Sequence, residues 1–300
     1  MTLHYNVAHQ PRELIDIALD WKKSGRALCL VTLINIEGNA PYPIGSQMLI
    51  DDQANYVGQI TGGCAEQAIA EQGKQLIKKG HNQVHRYGIG SPYFDIQLPC
   101  GSGLDVHFNC KLSCNDLERI AQKLKERKVV ESTINNGYSK NYYPTPRLLI
   151  AGQGPILISL TELALKIGFD VACVVQDKES KQDLQDKNIK SSHYGSISKN
   201  QITGSDLDAH TAVVSLFHEH DLEQPLLLEA LNSPVFYIGA LGSRRTHQAR
   251  LETLTALGFS KSDLTRIYGP VGLQISASTP QQIAISILAQ LIEQQNSLYV

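Results

Sequence analysis

The residues whose types and spacing could do chemistry in this sequence are, first, cysteines set among glycines. In Thr61-Gly62-Gly63-Cys64-Ala65-Glu66 the Cys64 thiol follows two glycines and opens an apolar pattern of helical period. A thiol at a helix start lies near free backbone amides and the positive end of the helix dipole, which favour a thiolate below the free pKa of about 8.5. Such a sulfur is a candidate soft metal ligand or nucleophile, the alternative being a buried structural cysteine. Cys100, in Leu98-Pro99-Cys100-Gly101-Ser102-Gly103, stands in a second turn needing unusual backbone angles and is a candidate for the same cleft. Cys110 and Cys114 have C-x-x-x-C spacing with no second pair to complete a zinc set, and Cys29 and Cys173 lie in apolar strands, so these four read as structural.

A second chemistry is anion binding. Leu148-Leu149-Ile150-Ala151-Gly152-Gln153-Gly154-Pro155 places Gly152 and Gly154 after a strand and before a helix, where backbone amides can approach a pyrophosphate. Asp177, past the next strand, could accept from a ribose hydroxyl. Leu157 stands where a third glycine would complete the fingerprint, and an empty strand-to-helix turn is the alternative. A further turn, Gly239-Ala240-Leu241-Gly242-Ser243-Arg244-Arg245, also opens a helix; Gly242, Ser243 and Arg244 form a candidate anion site, with a solvated arginine pair as the alternative. His218, Glu219, His220 and Asp221 follow an apolar strand. A polar turn is preferred there to a metal site, with His218 kept as a cofactor-binding candidate.

The elements that must position these residues fall into two halves. Residues 12–23 read as a helix, 27–36, 47–51 and 56–60 as strands, 64–79 as a helix, 84–87 and 104–109 as strands, and 115–127 as a helix. Residues 135–146 (NNGYSKNYYPTP) have the composition of a connection. Strands then alternate with helices from 147 onward, which predicts a parallel sheet, and residues 280–294 form a closing helix capped by Thr279. The expected domains are 1–134 (α+β, cysteine-bearing), a linker at 135–146, and 147–300 (Rossmann-like), giving an α/β protein.

The bulk composition narrows the function. Lys and Arg number 27 against 29 Asp and Glu, a net charge of −2, so no field draws the chain to phosphate backbones or anionic lipid, and nucleic-acid and membrane partners are not expected. The first residues, MTLHYNVAHQPREL, lack the halves of a signal peptide, and no apolar run could span a bilayer; the expected location is cytoplasmic, with the six cysteines as thiols.

With these residues in view the chain resembles the XdhC/CoxI family of molybdoenzyme maturation factors over nearly its whole length. The N-terminal blocks are Gly38-Asn39-Ala40-Pro41, residues 45–50, residues 61–66 and Cys100-Gly101-Ser102-Gly103. The C-terminal blocks are residues 236–245, Gly269-Pro270-Val271-Gly272-Leu273 and Thr279-Pro280-Gln281-Gln282-Ile283-Ala284, in the family's order. The resemblance implies a protein that binds molybdenum cofactor (molybdopterin or its dinucleotide form), shields it, supports its sulfuration by a cysteine desulfurase, and hands it to an apo-molybdoenzyme of the xanthine dehydrogenase class. It implies a homodimer and an accessory protein rather than a turnover enzyme. It places Cys64, in the Gly62-Gly63-Cys64 block, at the cofactor site; on chemical grounds Cys64 with Cys100 would then contact the metal end, and Gly152, Gly154, Gly242, Ser243 and Arg244 would cradle the phosphate end. Ser102 and His218-Glu219 depart from the family's pattern.

Two other readings stand beside this one. An NAD(P)-dependent oxidoreductase would use the same Gly152 loop and Asp177, but the Rossmann half carries no recognisable hydride-transfer set such as Tyr-x-x-x-Lys. A non-catalytic scaffold would keep the nucleotide fold for its shape alone.

Overall fold

The computed structural model describes residues 11–91, 101–135, 138–175, 177–187, 189, 191–193, 207–217 and 219–297. The chain divides into two compact units, Met1–Pro144 and Thr145–Val300. Each buries its own apolar faces around its own sheet.

The first unit runs α1 (Pro11–Lys23), β1 (Leu28–Glu37), β2 (Gln47–Asp51), β3 (Tyr56–Gly58), α2 (Glu66–Lys79), β4 (Gln83–Gly88), β5 (Gly103–Asn109), α3 (Cys114–Lys125), β6 (Val130–Asn135) and β7 (Tyr138–Tyr142). Five strands form an antiparallel sheet in the order β3-β2-β1-β5-β4. Side chains alternate across a strand, so β1 feeds two cores. Cys29, Val31 and Leu33 meet Ile69, Ala70 and Leu76 of α2. Leu28 and Leu30 meet Leu14, Ile15 and Ala18 of α1 and Leu117 and Ile120 of α3.

Two expectations are corrected in this unit. Residues 135–146 are not a bare connection, because β7 pairs with β6 from Val130↔Tyr142 to Asn135↔Tyr138. Turn-forming residues mask this strand, and its anchor is Tyr142, only 1% exposed and packed with α1 and α3. The second correction concerns α2, which starts at Glu66 rather than Cys64. Gly63 has φ 105° and Ala65 sits at φ −132°, ψ 2°, so the backbone turns helical only after them.

The second unit runs β8 (Arg147–Gly152), α4 (Pro155–Lys166), β9 (Asp170–Val175), α5 (Lys178–Asp186), β10 (Ser191–His193), β11 (Thr211–Leu216), α6 (His220–Leu231), β12 (Tyr237–Ala240), α7 (Arg244–Ala256), α8 (Lys261–Leu264), β13 (Ile267–Tyr268) and α9 (Pro280–Asn296). All six strands are parallel, in the order β10-β9-β8-β11-β12-β13. Counted within the unit this is 3-2-1-4-5-6, the doubly wound dinucleotide-binding order. Leu148 and Ile150 of β8 pack under α4, α5 and α9, while Leu149 and Ala151 pack under α6, α7 and α8.

Strand order reverses between β8 and β11, and Gly152 closes β8 there. A Cβ on Gly152 would stand 2.7 Å from the Leu216 carbonyl carbon and 2.8 Å from its oxygen, at a φ of 145°. Both obstacles are backbone of the neighbouring strand, so relief requires splaying the sheet at its crevice. Gly152→Ala is therefore expected to cost about 2–3 kcal/mol; an unchanged urea midpoint would show that the β8–β11 junction is looser than described. Among the described residues no helix is long and apolar enough to cross a membrane.

Candidate functional site

The Cys64 loop is shaped by a carboxylate. Glu66, 2% exposed at the start of α2, accepts through Oε1 from the amides of Ile60 (3.0 Å), Thr61 (2.7 Å) and Gly62 (3.1 Å). Through Oε2 it accepts from Gly63 N (2.8 Å) and from the Thr61 hydroxyl. The same hydroxyl accepts from Ala65 N at 2.8 Å. Burial alone would raise the Glu66 pKa, but the bonds from Thr61 and Ile60 outweigh it and hold the carboxyl below its ordinary value. The amides that the sequence offered to a Cys64 thiolate thus converge on Glu66 instead. Cys64 itself is a free, exposed thiol at the tip.

Neighbouring loops brace this one. A Cβ on Gly62 would touch Pro41 Cγ at 3.4 Å, and the Tyr42 hydroxyl donates to Gln59. Further along the same segment, Gly38 lies against Ser102 and the Gly101 carbonyl. Residues 38–45 therefore lie between the Cys64 loop and the turn that follows Cys100. Lys140 of β7 ties the segment down, donating from Nζ to the Gly45 carbonyl at 2.7 Å above the Tyr142 ring. Burial lowers its pKa to about 8. Cys100 lies outside the described residues.

In the second unit, parallel strands bring the ends of β8, β9, β11 and β12 to one edge. Gly154 has φ 85° with open space where a Cβ would project, and its amide donates to Ser180 Oγ at 2.8 Å. Asp177 caps α5, its Oδ1 accepting from Ser180 N at 2.7 Å. Its Oδ2 is buried with no hydrogen-bond partner among the described residues. His218 lies outside them.

The Gly242 turn rests on a buried ion pair. Arg250 Nε donates to Glu223 Oε2 at 2.7 Å and Nη2 to Oε1 at 3.1 Å, both side chains being 3% exposed. Ser215 Oγ donates to Glu223 Oε1 at 2.8 Å, and Arg250 Nη2 donates to the Leu241 carbonyl at 2.8 Å. Strand β11, helices α6 and α7 and the turn are thereby joined through one carboxylate. Ser243 caps α7, so its hydroxyl is occupied in accepting from Thr246 N at 3.1 Å. Arg244 is exposed and reaches Gln274 Oε1 at 3.4 Å, at the wall of a cleft of about 510 Å³ lined also by Tyr268, Pro270, Gln274 and Gln290. Gln290 Oε1 accepts from Tyr237 OH and from Gly272 N, which fixes its amide group at that wall.

Residues 148–291 match the model of the XdhC Rossmann domain, and residues 21–88 match that of the XdhC and CoxI family. The chain belongs to the XdhC and CoxI family. This XdhC/CoxI protein is 31% identical to the molybdenum cofactor insertion chaperone PaoD of Escherichia coli (strain K12), over 93% of its own length and 87% of PaoD. It is 23% identical to a Bacillus subtilis (strain 168) protein named as a probable component of xanthine dehydrogenase, over 90% and 94% of the two chains. Its fold is shared with a crystal structure of a Bacillus halodurans protein described as a xanthine dehydrogenase, with TM-score 0.76, 21% identity and 96% of each chain covered.

Within the matched regions of this XdhC/CoxI chain lie three polar residues that sequence reasoning passed over: Glu66, Glu223 and Arg250. Glu66 had a local signal, since an acidic residue in a first helical turn after Thr61 and two glycines resembles a reciprocal cap. Glu223 and Arg250 had none, because their 27-residue separation is closed only by the tertiary fold.

Proposed function

We propose that this protein binds molybdenum cofactor, shields it, supports its sulfuration by a cysteine desulfurase, and delivers it to an apo-molybdoenzyme of the xanthine dehydrogenase class. It does so as a cytoplasmic homodimer. The observation that carries the reading is Cys64, an exposed thiol held out by a loop whose backbone is fixed from beneath. Similarity to PaoD, named as a molybdenum cofactor insertion chaperone, supports it.

Residues of each unit, taken by itself, suit groups that such a ligand carries. Cys64 is a soft donor suited to molybdenum or its dithiolene sulfurs. In the second unit Gly154 leaves open space at a helix start, Asp177 Oδ2, without a hydrogen-bond partner among the described residues, can accept from a ribose hydroxyl of the dinucleotide form, and Arg244 can pair with phosphate. When bound, the cofactor supplies a sulfur-ligated molybdenum centre that the chain itself does not encode. The chain's part is to hold and orient, through a thiol in the first unit and a carboxylate and a guanidinium in the second.

The test is molybdenum and pterin content of protein purified without oxygen from molybdate-fed cells. Cys64→Ser replaces a soft sulfur with a hard oxygen, and retained molybdenum is expected to fall at least tenfold, about 1.4 kcal/mol. Equal content in both proteins would remove Cys64 from the site. The β10-β9-β8-β11-β12-β13 order also suits a nicotinamide dinucleotide. Tight stoichiometric NAD(P) binding with no molybdenum or pterin in either preparation would favour the oxidoreductase.

A further inference from the structure

Two cysteines outside the proposed cofactor site stand opposite each other across neighbouring strands. The β1–β5 register pairs Val31 with Phe108 and Leu30 with Asn109. Continued by one residue, it sets Cys29 against Cys110. The Cys110 amide donates to Asn82 Oδ1 at 2.9 Å, next to β4, and so points away from β1. In an antiparallel ladder a residue whose amide faces away from its partner strand belongs to a narrow, non-hydrogen-bonded pair, with Cα atoms about 4.5 Å apart and side chains close together. That separation lies at the short end of the range a disulfide spans, about 4.4–6.8 Å.

The side chains agree with the backbone. Cys29 is fully buried in the core beneath α2, and Cys110 packs against the same core from a half-buried position. Each thiol influences the ionisation of the other. Burial, with Cys110 adding to it, raises the Cys29 pKa, while the interaction with Cys29 lowers that of Cys110. Cys110 is thus both the reachable sulfur and the more readily ionised one.

We propose that Cys29 and Cys110 form a reversible thiol–disulfide modification site that reacts with small disulfide oxidants. The Cys110 thiolate attacks one sulfur of the oxidant, breaking its S–S bond and releasing one small thiolate. Cys29 then gives up its proton and attacks the Cys110 sulfur, displacing the second small thiolate. Two cysteine thiols are oxidised by two electrons, and one small disulfide is reduced to two thiols. The bond closes between strands whose opposite ends, at Glu37↔Gly103, enter the Gly38 and Gly101–Ser102 loops. A short cross-strand disulfide is strained and readily reduced, which suits a switch more than a permanent staple.

The experiment treats the folded full-length chain with oxidised glutathione and maps its six cysteines after chymotryptic digestion, which separates Cys29 from Cys64. A Cys29–Cys110 linked peptide, lighter than its parts by about 2 Da and cleaved by dithiothreitol, is expected. Cys29→Ala should trap glutathione on Cys110, and Cys110→Ser should leave Cys29 unmodified. Glutathione confined to Cys64 and Cys114 with Cys29 and Cys110 still thiols, or a Cys110–Cys114 link, overturns the proposal.

Discussion

Glu66→Gln is expected to destabilise the N-terminal unit by about 3–5 kcal/mol, although it changes a single atom. The carboxylate accepts four backbone amides and one hydroxyl. Glutamine keeps one acceptor oxygen but turns an amide group toward Gly63 N, leaving a donor facing a donor. An unsatisfied buried donor costs about 1–3 kcal/mol, and the remaining bonds lose their charge assistance. For a unit of this size the midpoint of thermal unfolding should drop by on the order of 10 °C. The loss should also depend on pH. Because the folded-state pKa of Glu66 is depressed, its stabilisation is complete above the unfolded value of about 4.3 and disappears as pH falls through the folded pKa. The gap between wild type and Glu66→Gln, measured by urea unfolding, should therefore be constant near neutrality and narrow below about pH 4. A gap that is small at pH 7 would mean that the loop holds its shape without the charge.

The second large effect lies beneath the Gly242 turn. Glu223→Gln leaves the Arg250 guanidinium buried beside a neutral amide, and an uncompensated buried charge costs about 3–5 kcal/mol. Removing both charges should be milder than removing one. Glu223→Leu combined with Arg250→Met should be more stable than Glu223→Leu alone, with a coupling of about 2 kcal/mol in a double-mutant cycle of urea midpoints. The double variant still lacks the donor to the Leu241 carbonyl, so amide hydrogen exchange in the turn should accelerate even where stability returns. Additive single effects would show that the pair is not a unit.

Much of the second unit was legible because its signals are local. Residues 147–151, 171–175 and 211–217 are short apolar runs with a glycine turn or polar residues after them, and the structure places β8, β9 and β11 there. Thr279, Pro280 and Gln282 announce α9 through a capping box that needs no distant partner. The apolar period over 64–79 found α2, but it could not see that the Glu66 side chain folds back under its own loop and delays the helix by two residues. The β6–β7 hairpin was hidden because its pairing depends on Tyr142 reaching the α1–α3 core, a contact no window of local composition contains. Glycine and cysteine spacing marks Cys64 in the first unit, and Gly152 and Gly242 in the second, as candidates, and the structure sets Cys64 and Gly242 in turns and Gly152 at the end of β8. The polar groups holding those turns in shape were not found: Glu66 folds back on its own loop, and Glu223 and Arg250 meet only through the tertiary fold.

The Glu66 cage also bears on how a ligand would bind at Cys64. A glycine-rich loop whose amides are free must be ordered by its ligand, and the ligand's affinity is reduced by that conformational cost. Here folding has already fixed residues 60–63 around a permanent internal anion. A ligand that meets Cys64 finds a rigid surface, and its departure lets nothing relax. Arg244, exposed and held by one long bond, lies at the other extreme: ordering such a side chain costs about 0.5–1.5 kcal/mol each time a ligand binds. A contact at Cys64 is thus stiff and one at Arg244 loose: a ligand leaving the first causes no rearrangement around the thiol, and one leaving the second returns freedom to the side chain.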